Sequence, residues 1–199
     1  KKTGEIKKRL PPNLTKNLEF YKSALNYIID INIQGRFFVE EFTSILLRKI
    51  LTPFTTGFVD LQSPSGIINS VIVYNYDGYV YASDESRMLA EYNDNTFKLG
   101  HVTDKYESIF YGRKAQQIAL IWGTEFIAGC ADCAFQSYCG ADPVRNYSAQ
   151  NDMYGFRPTS SLCKKHKAII TYIFYLIQNE YDRVMPIFKQ WINRNENEF

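Results

Sequence analysis

An α+β domain follows from three observations. Apolar side chains recur at helical spacing near both ends, an Asp-Gly pair sits between alternating β-branched and aromatic residues in the middle, and a cysteine- and glycine-rich stretch between residues 129 and 160 keeps neither period. The expected arrangement is amphipathic helices flanking a β-hairpin, then a Cys-rich metal-binding loop region, then C-terminal helices.

Residues 1–12 end in Leu10-Pro11-Pro12, a stiff non-helical run that reads as a linker, and Lys1, Lys2, Lys7, Lys8 and Arg9 read as solvated charge within it. Asn13 is a plausible N-cap. After it, Leu14, Leu18, Tyr21, Leu25 and Ile28 alternate steps of four and three, one stripe of a helix that Gly35 terminates. A second helix starts near Val39, carries Phe42, Ile45, Leu46 and Ile50 on one face, and stops before Pro53. Two amphipathic helices in succession need a cover, either the following sheet or a domain outside this chain.

Val71, Val73 and Asn75 alternate with Ile72, Tyr74 and Tyr76 before Asp77-Gly78 turns the chain into Tyr79-Val80-Tyr81. That turn pair between such runs is the strongest short-range hairpin signal. Asp84 to about Tyr92 and Thr103 to Phe110 read as short helices, separated by a polar turn and Leu99-Gly100-His101-Val102. Residues 113–127 read as another helix, with Ile118, Ile121 and Trp122 facing inwards. Residues 129–160, with Gly129, Gly140, Pro143, Gly155 and Pro158, need an outside constraint to become ordered. A helix from about Ser160 to Glu180 uses Leu162, His166, Ile169, Ile170, Ile173 and Ile177. The last helix uses Val184, Ile187, Phe188, Trp191 and Ile192, with a bend expected at Pro186 and a frayed tail after Arg194.

Composition narrows the function. A net charge of +2, with Lys and Arg spread along 199 residues, argues against nucleic acid. No apolar run reaches the roughly 18 residues a membrane helix needs, so a cytoplasmic protein is the expectation. The start, Lys1-Lys2-Thr3, has neither an initiator Met nor a signal core, which suggests a piece of a longer protein. Aromatic residues make up 16% of the chain, enough to clamp an extended partner, although core packing accounts for most of them. There is no P-loop, nucleophile elbow or dinucleotide fingerprint, and no catalytic residue is assigned.

All four cysteines fall in one pattern, Cys130-x2-Cys133-x5-Cys139-x23-Cys163. A close C-x2-C pair in a reducing compartment points to metal or redox chemistry rather than a disulfide. Four thiolates suit a four-iron cluster, and they equally suit a closed tetrahedral zinc site, although the second C-x2-C knuckle of a zinc ribbon is missing. Unmetallated redox thiols are the third reading. Cys163 falls in the first turn of a helix, where dipole and free N–H groups favour a thiolate. Gly140 leaves room for backbone amides near a cluster. His166, three residues on, reads as a half-buried helix histidine before it reads as a substitute ligand.

The segment Cys130-Ala131-Asp132-Cys133-Ala134-Phe135-Gln136-Ser137-Tyr138-Cys139-Gly140-Ala141-Asp142-Pro143, preceded by the Asp77-Gly78 hairpin and Leu99-Gly100-His101-Val102, resembles the SPASM domain appended to radical SAM enzymes that modify peptides and proteins. With Tyr76-Asp77-Gly78 and Ser83-Asp84-Glu85-Ser86-Arg87-Met88-Leu89, the wording is most similar to the radical SAM maturase of the His-Xaa-Ser system. The resemblance spans about residues 14–180 and is weaker before residue 60. It implies a helical segment at 13–60 like the end of a partial barrel, a SPASM-like auxiliary cluster domain at 61–180, and a C-terminal helix and tail at 181–199.

The family's full form holds two auxiliary four-iron clusters. Where the first draws its ligands, this chain has Ala82-Ser83, Lys105 and Pro143. The second uses the thiolates that match Cys130, Cys133, Cys139 and Cys163. One ligand set is missing as a unit and the other is kept as a unit, which shifts the balance from zinc towards a 4Fe-4S cluster. The C-x3-C-x2-C loop that binds the catalytic cluster and S-adenosylmethionine is missing too, so the resemblance implies that this chain is not catalytic alone. It further implies an upstream radical SAM core domain as partner, a peptide or protein substrate, and S-adenosylmethionine only in that upstream domain.

Three other groups have plainer readings. Asp84, Glu85 and Arg87 read as a helix-starting acidic pair with a solvated Arg, before any role in orienting a peptide. Asp142 reads as a loop-fixing hydrogen-bond acceptor, and Asp60, Ser63, Pro64 and Gly66 as turn residues.

Overall fold

The computed structural model describes residues 13–58 and 61–193. The linker at 1–12, Asp60 and the tail after Arg194 lie outside the described residues.

Helix α1 (Leu14–Ile33) starts where the Asn13 side chain accepts from the Lys16 N–H at 3.2 Å, and the chain leaves it at Gly35 with φ +83°. Such a positive φ suits glycine at a helix end. Helix α2 (Glu41–Leu51) is capped by the Glu40 carboxylate, which accepts from the Phe42 and Thr43 N–H groups. Their cover within this chain is not the sheet. It is α7 (Ser161–Asn179) and α8 (Tyr181–Asn193), the latter running through Pro186. Leu25 and Ile29 of α1, Leu46 and Leu47 of α2, Ile170, Ile173 and Leu176 of α7, and Phe188 and Trp191 of α8 are fully buried together. Each such side chain contributes about 1.5–3 kcal/mol of burial. The sheet loses this competition because its strands are too short to offer a comparable apolar face. Arg183 clasps α8 to α1, donating to Asp30 at 2.8 Å and to Asn26 at 3.3 Å.

The hairpin forms at its predicted turn. Strand β1 (Val73–Tyr74) pairs antiparallel with β2 (Tyr79–Tyr81), with Tyr74 opposite Val80, and Gly78 takes φ +81°. A third strand, β3 (Lys98–His101), completes the order β1-β2-β3 and places Gly100 opposite Val80. That segment is expected only as a spacer between two short helices, and pairing with β2 makes it a strand.

Short helices α3 (Asp84–Ala90), α4 (Tyr106–Phe110) and α5 (Arg113–Ala119) surround the sheet. The single helix expected over 113–127 ends early. The Trp122 carbonyl accepts from the Ser65 N–H at 2.6 Å instead of continuing a helical ladder, and one 3-10 turn follows at Thr124–Phe126. Ile67, Ala82, Phe97, Ile118 and Val144 form a second, smaller core. The 129–160 stretch is more regular than expected, holding α6 (Pro143–Gln150) and 3-10 turns at Gln136–Tyr138 and Arg157–Thr159. No helix among the described residues is long and apolar enough to cross a membrane.

Candidate metal centre

The cysteine loop is pinned to both cores. Phe135 and Tyr138 pack against the helical bundle, with the Tyr138 ring edge-on to Phe174 at 5.4 Å, whereas Val144 and Tyr147 belong to the second core. Between these anchors the backbone is drawn into tight turns. The Cys133 N–H donates to the Cys130 carbonyl at 3.0 Å, the Gln136 N–H to that of Cys133 at 2.9 Å, and the Cys139 N–H to that of Gln136 at 3.1 Å. Gly129 enters this series at φ +73°, and a Cβ there would lie 2.7 Å from Pro158 Cγ. Lys49 Nζ reaches across from α2 to donate to the carbonyls of Leu61 and of Cys139, the latter at 3.0 Å. Burial holds this ammonium below its usual pKa.

The fourth cysteine arrives from α7. Cys163 is the third residue of that helix, and its N–H donates to the capping Ser160 Oγ at 3.1 Å. All four cysteines are half-buried and none is in a disulfide. They line one small cavity of about 30 Å³ together with Phe135, His166 and Ile170. Cys130, Cys139 and Cys163 also line an adjoining cavity of about 100 Å³, shared with Asp142, Ser160 and Arg157. Among the described residues, no three His, Cys, Asp or Glu side chains are gathered as ligands of a single metal ion.

Burial pushes the Cys130 and Cys139 thiols above their ordinary pKa, and Arg157 pulls both back. Arg157 is only 9% exposed. Its Nη1 donates to the Gly140 carbonyl at 2.9 Å, and its Nε and Nη2 have no protein partner. A four-thiol donor set around a cavity with a buried guanidinium at its edge fits an anionic iron–sulfur cluster, whose charge needs desolvated donors nearby. Gly140 contributes its carbonyl, which holds Arg157 and accepts from the Cys139 thiol at 3.7 Å.

The other candidates take their plainer roles. The Asp142 carboxylate caps α6, accepting from the Val144 and Arg145 N–H groups at 2.9 and 3.2 Å. Arg87 pairs on the surface with Asp84 at 3.0 Å and Glu91 at 3.5 Å. Ser63 Oγ accepts from the Thr124 N–H at 2.9 Å, joining a turn to the segment before the cysteines. His166 is buried, lines the thiol cavity and tilts its ring against Phe42 at 5.8 Å. At the positions without cysteine, Ala82 is core, Ser83 and Lys105 occupy the N-cap positions of α3 and α4, and Pro143 opens α6. Sequence reasoning missed Arg157 and Lys49. Nothing in their neighbours' periodicity marks them, although an Arg-Pro pair inside a cysteine-bearing loop is a weak pointer.

No family model matches the chain, and no curated protein matches it. Solved structures do. The fold is shared with anSMEcpe. Native anSMEcpe with bound AdoMet superposes with a TM-score of 0.57 at 18% identity, covering 92% of this chain and 47% of that one. Native anSMEcpe with bound AdoMet and the Cp18Cys peptide gives 0.56 at 18% identity, with the same 92% and 47% coverage. The chain thus spans less than half the length of the anSMEcpe structures.

Proposed function

We propose that Cys130, Cys133, Cys139 and Cys163 hold one 4Fe-4S cluster, and that residues 61–180 form the auxiliary cluster domain of a radical SAM enzyme that modifies a peptide or protein. One observation carries the reading: every cysteine in the chain, including one separated from the others by 23 residues, lines the same cavity. A single zinc ion needs four sulfurs at about 2.3 Å from one point, whereas a cluster takes thiolates around a larger inorganic core. The missing second C-x2-C knuckle of a zinc ribbon favours the second.

Such a cluster, when bound, supplies one-electron transfer. The chain's own residues set its surroundings. Phe135, Ile170 and the bundle behind them keep water from one side. The fold shared with a protein solved with AdoMet and with a peptide supports placement beside a radical SAM core and a peptide substrate. Helices α1 and α2 then stand at the junction with that core.

Anaerobic reconstitution tests the proposal. The expected product is brown, with a broad visible thiolate-to-iron band and about four irons and four sulfides per chain. Colourless protein that takes up one zinc and no iron under the same conditions would instead make the domain a zinc-stabilised peptide- or protein-binding module. Zinc found only after aerobic purification does not decide, because zinc enters vacated thiolate sites.

A further inference from the structure

Arg157 is a buried cation with two donor groups that meet no hydrogen-bond acceptor. It sits on the 3-10 turn Arg157–Thr159, at 9% exposure, with one hydrogen bond, to the Gly140 carbonyl at 2.9 Å. Its Nε and Nη2 are buried without a protein acceptor. A buried guanidinium with open donors is unfavourable unless an anion meets it. The Asp142 carboxylate, whose charge also acts on Arg157, accepts from two backbone N–H groups at the start of α6 and from neither Nε nor Nη2 of the guanidinium. Cys130, Cys139 and Cys163 line the same cavity as Arg157, together with Asp142 and Arg145.

The turn is also held there by close packing. Gly129, immediately before Cys130, lies so close to Pro158 that a Cβ would approach to 2.7 Å, and Phe156 Cε2 to 3.2 Å. Ser160, three residues after Arg157, caps the Cys163 N–H. The same short segment therefore touches the loop of the first thiol, the carbonyl after the third, and the helix start of the fourth.

We propose that Arg157 is a positioning residue for the cluster, its Nε and Nη2 donating to the sulfur atoms of the bound group while Nη1 anchors it to Gly140. The proposal rests on the cluster reading above and deepens it. Donors and positive charge beside a cluster stabilise its more negative, reduced form, so Arg157 raises the midpoint potential. It also offsets the net negative charge of a thiolate-ligated cluster in a site that excludes water.

The test compares the full wild-type chain with R157K, R157Q and R157M, each reconstituted anaerobically. Iron and sulfide are counted, midpoint potentials are taken by redox titration of the visible band, and apo-protein far-UV circular dichroism reports folding. Expected are lower potentials for R157Q and R157M, an intermediate value for R157K, and unchanged dichroism. Loss of the cluster from R157Q and R157M, but not from R157K, with the apo fold kept, also supports the role. Identical potentials in all four proteins overturn it while leaving the cluster reading intact, as does an apo protein that unfolds in every variant, since Arg157 is then a fold residue. A wild-type chain that takes up no iron and sulfide removes the cluster reading and this inference together.

Discussion

Cys133 shows how much one atom does in this loop. It lies between two tight turns, its N–H on the Cys130 carbonyl and its own carbonyl on the Gln136 N–H. Those bonds close local turns without joining the loop to either core. In the proposed holoprotein, the thiolate bond to iron makes that longer connection. C133S removes it, because a serine oxygen is a poor substitute for a thiolate on a soft metal centre. The expected result is loss of bound iron together with a fall in melting temperature. Even ~2 kcal/mol lost from a chain of this size lowers Tm by about 4–8 °C. Metal analysis paired with thermal melts reads both, and a variant with no iron but an unchanged Tm sinks the account. At this scale the sequence was informative about ligands and silent about their neighbours. Cysteine is rare and its spacing is chemical, so the four thiols announce themselves. Arg157 and Lys49 act through where the fold carries them, and no local pattern encodes that.

Elements divide by length. Helices α1, α2, α7 and α8 each repeat their apolar stripe for three turns or more, and the hairpin carries its own turn signal, so these were legible. Strand β3, four residues long, and α6, eight residues long, were not, because neither completes enough of its period to stand out. Their signals are chemical instead: Asp142-Pro143 is an N-cap followed by a proline at the first helical position. The loop-fixing role expected for Asp142 is this cap. D142A should cost about 1 kcal/mol by leaving the Val144 and Arg145 N–H groups without their acceptor. Chemical denaturation measures it, and the cluster should remain bound. A D142A protein that folds normally and yet cannot hold iron would make Asp142 part of the site.

The molecule as a whole has two cores joined by the cysteine loop. Leu25, Leu46, Ile173 and Trp191 fill the larger one, while Ile67, Phe97, Ile118 and Val144 fill the smaller. The larger core is built mainly by the four long helices, whereas the loop is held by Phe135, Tyr138, Lys49, the Ala141 N–H on the Gln62 carbonyl and the second core. Stripping the cluster with a chelator should therefore act unevenly. In hydrogen exchange, amides of the four-helix bundle should keep their protection, and those of residues 127–160 should exchange faster. Uniform loss of protection across both regions would show that the cores form one cooperative unit. The dependence of 129–160 on an outside constraint is what this exchange experiment tests, and the sequence did not show that the C-terminal helices close over the N-terminal ones. That pairing joins segments more than a hundred residues apart, as when Ser44 Oγ donates to the Trp191 carbonyl at 3.1 Å.

The entry of Cys163 from the first turn of α7 has a consequence for biosynthesis. A ribosome delivers Cys130, Cys133 and Cys139 within ten consecutive residues, then makes 23 more before the last thiol appears. Until then the proposed ligand set is one thiolate short, so a cluster held by all four can close only once the start of α7 has been made and folded.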